Sequence, residues 1–416
     1  MPTTTPATVR PRSKKHSPAE LNVLTLIHGK PGISRVELAQ ECGMSTGSVS
    51  AIVQSLIDRN LVSEGQQVSS KSGRRRIALR LRSELGYVVG VDLGTFFERI
   101  VITDIGGEVI YSTELESGMG AGREELLRRT FSAVREAIAA APIDGRPFLG
   151  IGLGHSGVID SQRGVVLAFP RPGQTEQWKN VPLQKMLEDE FGVPALLEDS
   201  VRTIAMSEAQ YGAGADLEDY IYVYVGMGVG SAIFINGTLY RGSGGSAGEF
   251  GHITVAEDGP LCCCGNTGCL EAVASCAAII ETVKAAIKMG VATKVNEMAE
   301  GNLDRISIEM IAEARDQNDS LAFRVMSQAA SHIGAACADL VNLLNPSAIV
   351  FGGGLFRGKA DFFLDHLRRT IRQRSLEKLA NEVTLVASAL DTNAGARGAA
   401  HLISGKLIES VYADSL

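Results

Sequence analysis

No stretch of this 416-residue chain stays apolar long enough to span a bilayer, because a charged residue or a glycine interrupts every candidate run. The first residues, MPTTTPATVRPRSKK, place no apolar stretch behind their basic side chains and do not read as a secretory signal. These absences exclude a membrane partner and point to a cytoplasmic protein. Cysteine is also scarce, and four of the seven (Cys262, Cys263, Cys264 and Cys269) stand within eight positions. In a chain with no export signal, such a cluster points to a metal rather than to disulfides. An excess of positive charge is missing as well: the net charge of −7 by itself argues against a nucleic-acid partner.

The distribution of charge argues the other way. Residues 1–82 carry 13 Lys and Arg against 5 Asp and Glu, a net of +8, whereas the remainder carries 27 against 42, a net of −15. A basic head on an acidic body fits a DNA-binding module joined to a domain that stays off DNA. With 45% hydrophobic residues the chain has enough apolar mass for a large core and two or three domains.

Residues 1–16 are rich in Pro, Thr and Ser, basic, and read as a disordered arm. Residues 17–82 read as a winged helix-turn-helix. Ser17-Pro18-Ala19-Glu20 and Ser34 to Glu37 are capping boxes. Leu21, Leu24 and Ile27 mark one apolar face, and Val36, Leu38, Ala39 and Cys42 a second. A third helix from about Ser45 has Val49, Ile52, Val53, Leu56 and Ile57 facing a core. Its other face presents Thr46, Ser48, Ser50 and Gln54. Small polar residues let a helix sit deep in the major groove, and Gln can pair with adenine. In SKSGRRRIALRLR, Ile77, Leu79 and Leu81 alternate like a strand behind a basic tip of Lys71, Arg74, Arg75 and Arg76, suited to phosphates. A three-helix protein-interaction domain with a solvated basic loop is the competing reading.

From Gly86 the texture changes. YVVGVDLG, RIVITD and GEVIYS read as strands, a helix follows over about 123–140, then the strand FLGIGLG. YIYVYVGMGVGSAIFINGTLY restarts the pattern, and a long Ala-rich helix leads to SAIVFGGGL. Two strand-rich halves, each opening on a Gly turn, suggest a duplicated α/β fold closing on a cleft. The segments VGMGVGS (225–231), GGSAGEFGH (244–252), CCCGNTGCLE (262–271) and IVFGGGL (349–355) resemble the ROK family of repressors, open reading frames and sugar kinases. The resemblance covers nearly all of 86–405, and the head extends it to the repressor branch. It implies a two-lobed actin/hexokinase-like (ribonuclease H-like) body with a first lobe over 86–200 and a second over 201–390. The segment 391–416 would pack back on the first lobe.

The resemblance also implies site residues. His252 with Cys262, Cys264 and Cys269 gives one imidazole and three thiolates, a complete tetrahedral set for structural Zn²⁺; a reduced thiol cluster or redox pair are the alternatives. Glu249, His252 and Glu271 match residues that touch sugar hydroxyls in the family, against the plainer role of Glu249 as a loop cap. Catalysis looks lost. The family's Asp-x-Gly-Gly-Thr phosphate turn reads Asp92-Leu93-Gly94-Thr95-Phe96 here, and Met227 stands where the second turn usually has Thr. Counting back from Glu208 puts Ser200 at the position of the catalytic Asp and Asp199 at that of its Asn neighbour. Asp199 then contacts sugar, whereas a one-residue slip would make it the base. His155 lies either near the ligand or in a plain loop. The expectation is therefore a sugar-gated, homodimeric or homotetrameric repressor of sugar-metabolism genes, binding operator DNA. A sugar kinase of glucokinase or N-acetylhexosamine kinase type with an accessory head, and a ligand-free dimerisation body, are the alternatives.

Overall fold

A computed structural model describes residues 17–69, 75–117, 122–169, 177–357 and 360–413. The arm 1–16, Lys71, Arg74 and residues 414–416 lie outside them. Among the described residues, no helix is long and apolar enough to cross a membrane.

The head has helices α1 (Pro18–Gly29), α2 (Arg35–Glu41) and α3 (Thr46–Asp58) and a hairpin of β1 (Val62–Ser69) and β2 (Arg75–Leu81). Ser17 with Glu20 and Ser34 with Glu37 form reciprocal capping boxes, and Ser45 caps α3. These caps satisfy backbone N–H groups that a first helical turn leaves without partners. Leu24, Ile27, Leu38, Val49, Val53 and Leu56 are buried in one core. Val36 does not join them and is 45% exposed. Successive helical residues are rotated by 100°, so Val36 stands roughly 160° away from Leu38, and a helix this short buries only one side. The hairpin is antiparallel with a bulge between Glu64 and Gln67. Arg75 and Arg76 belong to β2, opposite Ser69 and Val68, rather than to the turn.

The body holds two five-stranded sheets of one design. The first lobe comprises β3 (Tyr87–Leu93), β4 (Phe97–Asp104), β5 (Val109–Glu116), α4 (Arg123–Ala140), β6 (Phe148–His155), the short pair β7 (Val158–Asp160) and β8 (Val165–Ala168), α5 (Leu183–Phe191), β9 (Ala195–Asp199) and α6 (Ser200–Tyr211). Its sheet order is β5-β4-β3-β6-β9. The second comprises β10 (Tyr220–Val225), β11 (Val229–Ile235), β12 (Thr238–Tyr240), α7 (Leu270–Ala274), α8 (Cys276–Lys288), α9 (Lys294–Met298), α10 (Ile308–Asp316), α11 (Ser320–Leu344), β13 (Ala348–Gly352), α12 (Ala360–Arg374), α13 (Glu377–Glu382) and β14 (Thr384–Ala387). Its order is β12-β11-β10-β13-β14. In both, three antiparallel strands are followed by two parallel ones. This repeat bears out the expected two-lobed actin/hexokinase-like fold.

The last helix, α14 (Ala394–Ala413), lies against β3 and β6 of the first sheet and against α6. Glycines make that approach possible. A Cβ at Gly90 would stand 1.9 Å from the Ala396 carbonyl, and one at Gly152 would stand 2.0 Å from that of Ala399.

Candidate functional site

An open cleft of about 820 Å³ runs between the lobes. Asp199, Glu249, His252 and Glu271 all line it, so residues more than 70 positions apart in sequence face one space. The chain brings them together from three directions. Asp199 ends β9 and caps α6, its carboxylate accepting from Arg202 N at 3.0 Å. Glu249 precedes the one-turn segment Phe250–His252, and Glu271 stands in the first turn of α7. Glu271 accepts from Val229 N at 2.9 Å and so pins the Gly226–Gly228 turn. Burial pushes the Asp199 carboxyl up to about 7; the Arg202 amide and guanidinium oppose the shift, and Glu249 and Glu198 add to it. Carboxyl groups around one space suit a neutral ligand rich in hydroxyls, because their oxygens accept hydroxyl hydrogens.

A network that sequence reasoning missed holds this wall. The buried Arg202 donates to the carbonyls of Gly245 and Ala247, each at 2.7 Å, and to Glu198 at 3.2 Å. Arg241 reaches the other Glu198 oxygen at 3.0 Å. A carboxylate shared by two guanidiniums in a buried setting fixes the 244–249 loop against α6. The available signal was Glu198 four residues before Arg202 across a strand-to-helix junction.

The other half of the cleft differs. Gly94, Thr95, Phe96, Ser200 and Met227 line it. Phe96 is 55% exposed into that space, and Met227 packs against the second-lobe core. Neither offers a hydrogen-bond donor for a phosphate. Burial pushes the Asp92 carboxyl up to about 6, with Arg99 at 4.0 Å pulling the other way. His155, read either as near the ligand or as a plain loop residue, is no loop residue but the fully buried end of β6. It packs against Phe169 and Trp178 and accepts from Gly157 N at 2.9 Å.

Beside the carboxylates, the ligand atoms of His252, Cys262, Cys264 and Cys269 all lie within 4.8 Å of one another. Cys262 Sγ is 3.6 Å from His252 Nδ1, and Cys264 Sγ is 3.7 Å from Cys269 Sγ. Tetrahedral bonds of ~2.3 Å would set two sulfurs ~3.8 Å apart, so the cluster can hold a metal ion. Gly265 and Gly268, with φ of 92° and 69°, make the reversal that brings the sulfurs together. Cys263 is not in that group of four; its thiol reaches Glu271 at 3.5 Å, and the ligand atoms of Cys262, Cys263 and Glu271 also lie within 4.8 Å of one another.

In the head, Thr46, Ser48 and Gln54 of α3 are exposed, while Ser50 is half-buried. Gln54 donates to Asp58 at 2.9 Å. Arg76 pairs with Glu37 of α2, which turns it toward the helices. Arg74 lies outside the described residues, and Arg75 is placed only by its register.

Residues 88–406 match the ROK family model, and residues 17–76 match that of the MarR family. The chain belongs to the ROK family. Its regular head and full-length likeness place it beside repressors. It is 32% identical over 360 residues to the xylose repressor of Caldicellulosiruptor bescii, covering 86% of this chain and 88% of that one. It is 30% identical over 394 residues to the DNA-binding transcriptional dual regulator NagC of Escherichia coli strain K12, covering 95% and 94%. Among solved structures, a ROK-family transcriptional regulator homologous to the Escherichia coli Mlc protein superposes with a TM-score of 0.77 at 28% identity, covering 95% and 97%.

Proposed function

We propose that this protein is a DNA-binding transcriptional repressor of sugar-metabolism genes, gated by a sugar or sugar derivative in a ROK body that does not phosphorylate it. The observation that carries the reading is that Asp199, Glu249, His252 and Glu271 line one cleft in a chain that also carries a winged-helix head. The carboxylates accept hydroxyl hydrogens from the sugar. Arg202 and Arg241, through Glu198, hold the loop that carries Glu249. A structural zinc on His252, Cys262, Cys264 and Cys269 supplies no chemistry of its own, because four protein ligands leave no open position. It fixes the loop between Glu249 and Glu271. Thr46, Ser48, Ser50 and Gln54 enter the major groove, while Arg74, Arg75 and Arg76 meet phosphates, Arg76 exchanging Glu37 for DNA. Two heads are needed for paired half-sites, so the working unit is a homodimer or homotetramer.

A kinase needs donors for the nucleotide phosphates and a base for the sugar hydroxyl. Phe96, Met227 and Ser200 stand at those positions, which supports sugar binding without transfer. The test is operator binding, followed by fluorescence anisotropy, on duplexes selected from a random pool by the full-length protein. D-xylose, D-glucose and N-acetyl-D-glucosamine, each with its phosphate ester, are the probes. A change in operator affinity of about fivefold or more with one probe is expected, within the usual range of allosteric coupling. Constant affinity with a probe that demonstrably binds the cleft would overturn the reading.

A further inference from the structure

The head does not hang from its covalent connection alone. Its helix α1 rests on α14, the last helix of the chain, and the seat is specific. The rings of His28 and His401 stack with centroids 4.4 Å apart and planes within 7°. His28 Nε2 and the Ser404 hydroxyl share a buried hydrogen bond of 2.7 Å. Gln210 donates to the His28 carbonyl at 3.3 Å, and Tyr211 meets His401 edge-on at 6.4 Å. Around this joint Val23, Leu24 and Ile27 of the head share one apolar cluster with Ala400, Ile403 and Ile408 of the body.

Gln210 and Tyr211 are the last two residues of α6, and α6 begins in the cleft, where Asp199 is its cap. Twelve residues of helix span ~18 Å. Over that length α6 is clasped to α14. Ser207 donates to the Ala394 carbonyl at 2.5 Å, and a Cβ at Gly398 would stand 1.7 Å from the Thr203 carbonyl. Its other side meets the second lobe: Ala205 packs with Tyr220 and Phe234, and Arg202 grips the loop that carries Glu249. One helix therefore touches the cleft wall, both lobes and the head. Close-packed helices shift as units rather than deform continuously.

We infer that α6 and α14 form a strut that carries the state of the cleft to the DNA-binding head, with His28, His401 and Ser404 as its seat. Movement of the Asp199 end relative to the second lobe displaces the seat, and the head follows. The inference deepens the reading of the cleft as an effector site and rests on it, but the strut can be tested without any sugar.

The experiment is hydrogen exchange of the α1 amides in the full-length protein. Ser404→Ala removes one buried hydrogen bond and keeps the fold; His401→Phe keeps the stacked shape. Ser404→Ala is expected to speed α1 exchange about tenfold, the effect of losing one such bond, with β13 amides unchanged. Asp199→Ala, at the far end of α6, is expected to change α1 exchange severalfold as well. In the sugar arm, Ser404→Ala and His401→Phe should bring the ratio of operator affinities with and without probe toward one, while the probe's own Kd stays within about twofold. Wild-type exchange rates in α1 of both Ser404→Ala and Asp199→Ala would overturn the strut. Wild-type operator affinity that no bound probe alters would instead overturn the effector reading, and the exchange data would still decide the strut.

Discussion

The two halves of the interlobe cleft are lined by different chemistry. At the carboxylate end, Asp199, Glu249, His252 and Glu271 stand on elements braced by the Glu198–Arg202–Arg241 network and the Cys/His cluster. At the turn end, Phe96 and Met227 line the cleft with side chains that offer no hydrogen-bond donor. The contrast separates recognition from chemistry. Holding hydroxyls requires fixed acceptors on a stiff loop, whereas moving a phosphoryl group also requires donors and a base on the facing turns.

The largest effect that could break this contrast is catalytic. A general base alone is worth ~10²–10⁴-fold in rate, and under the proposed function the phosphate donors are lost as well. Incubation of the protein with ATP, Mg²⁺ and any hexose or N-acetylhexosamine should give no phosphorylation above background in a radiolabel assay. Turnover that vanishes in Asp199→Asn would place the base at Asp199 and collapse the distinction between the two ends.

Metal removal comes next and acts on the carboxylate end. The purified protein should hold about one Zn²⁺ per chain by metal analysis, and Cys269→Ser should lose it. Loss of a few kcal/mol of loop stability should lower the melting temperature by roughly 10 °C, at ~2–4 °C per kcal/mol for a domain of this size. Full zinc content with Cys269→Ser would remove that cysteine from the set.

Glu249→Gln sharpens the contrast on a smaller scale. A hydrogen bond to a charged acceptor contributes about 1.5–3 kcal/mol, so sugar affinity by calorimetry should fall roughly 10- to 150-fold. Operator affinity without sugar should hold.

Acid should loosen the seat of the head. Burial pushes the imidazole of His401 down to about 4 and that of His28 well below 6.5, the latter also through His401. Arg397, stacked on Tyr211 at 4.1 Å, adds positive charge nearby, while Asp104 and Glu108 face Tyr211 from the β4–β5 turn. A histidine whose folded value is depressed contributes stability that is complete above ~6.5 and lost as pH falls toward the folded value. Protection of α1 amides should therefore decline between pH 6.5 and 4 before that of β13. The smallest effect lies in DNA: Gln54→Ala should cost ~1–3 kcal/mol of discrimination at one base pair, read from binding to single-base operator variants.

Much of this was legible beforehand because it is local. Capping boxes and the 3.6-residue pattern located the head helices, and strand–Gly turn–strand segments located both lobes. Short-range motifs likewise grouped Glu249, His252, Cys262, Cys264, Cys269 and Glu271. Val36 was misread because periodicity names an apolar face without saying how much of it a two-turn helix can cover. Arg75 and Arg76 were placed in the turn because charge marks a wing but not where its strand begins. Beyond the local Glu198–Arg202 spacing, the reach of Arg241 to Glu198 and the His28–His401 stack were hidden for a different reason. Their partners are set by how α6, α14 and the 241–249 loop cross, and no spacing along the chain encodes a crossing.

The seat of the first helix also has a history within each molecule. His28 and Ser404 are 376 residues apart, so a ribosome adding about 5–20 residues per second finishes the surface that α1 rests on roughly 20–75 s after α1 itself. For that interval the newborn head carries its apolar flank uncovered. The chain is therefore exposed to aggregation while it is still tethered, and a truncation that removes Ile403 and Ile408 would take away part of the core that the head shares with the body.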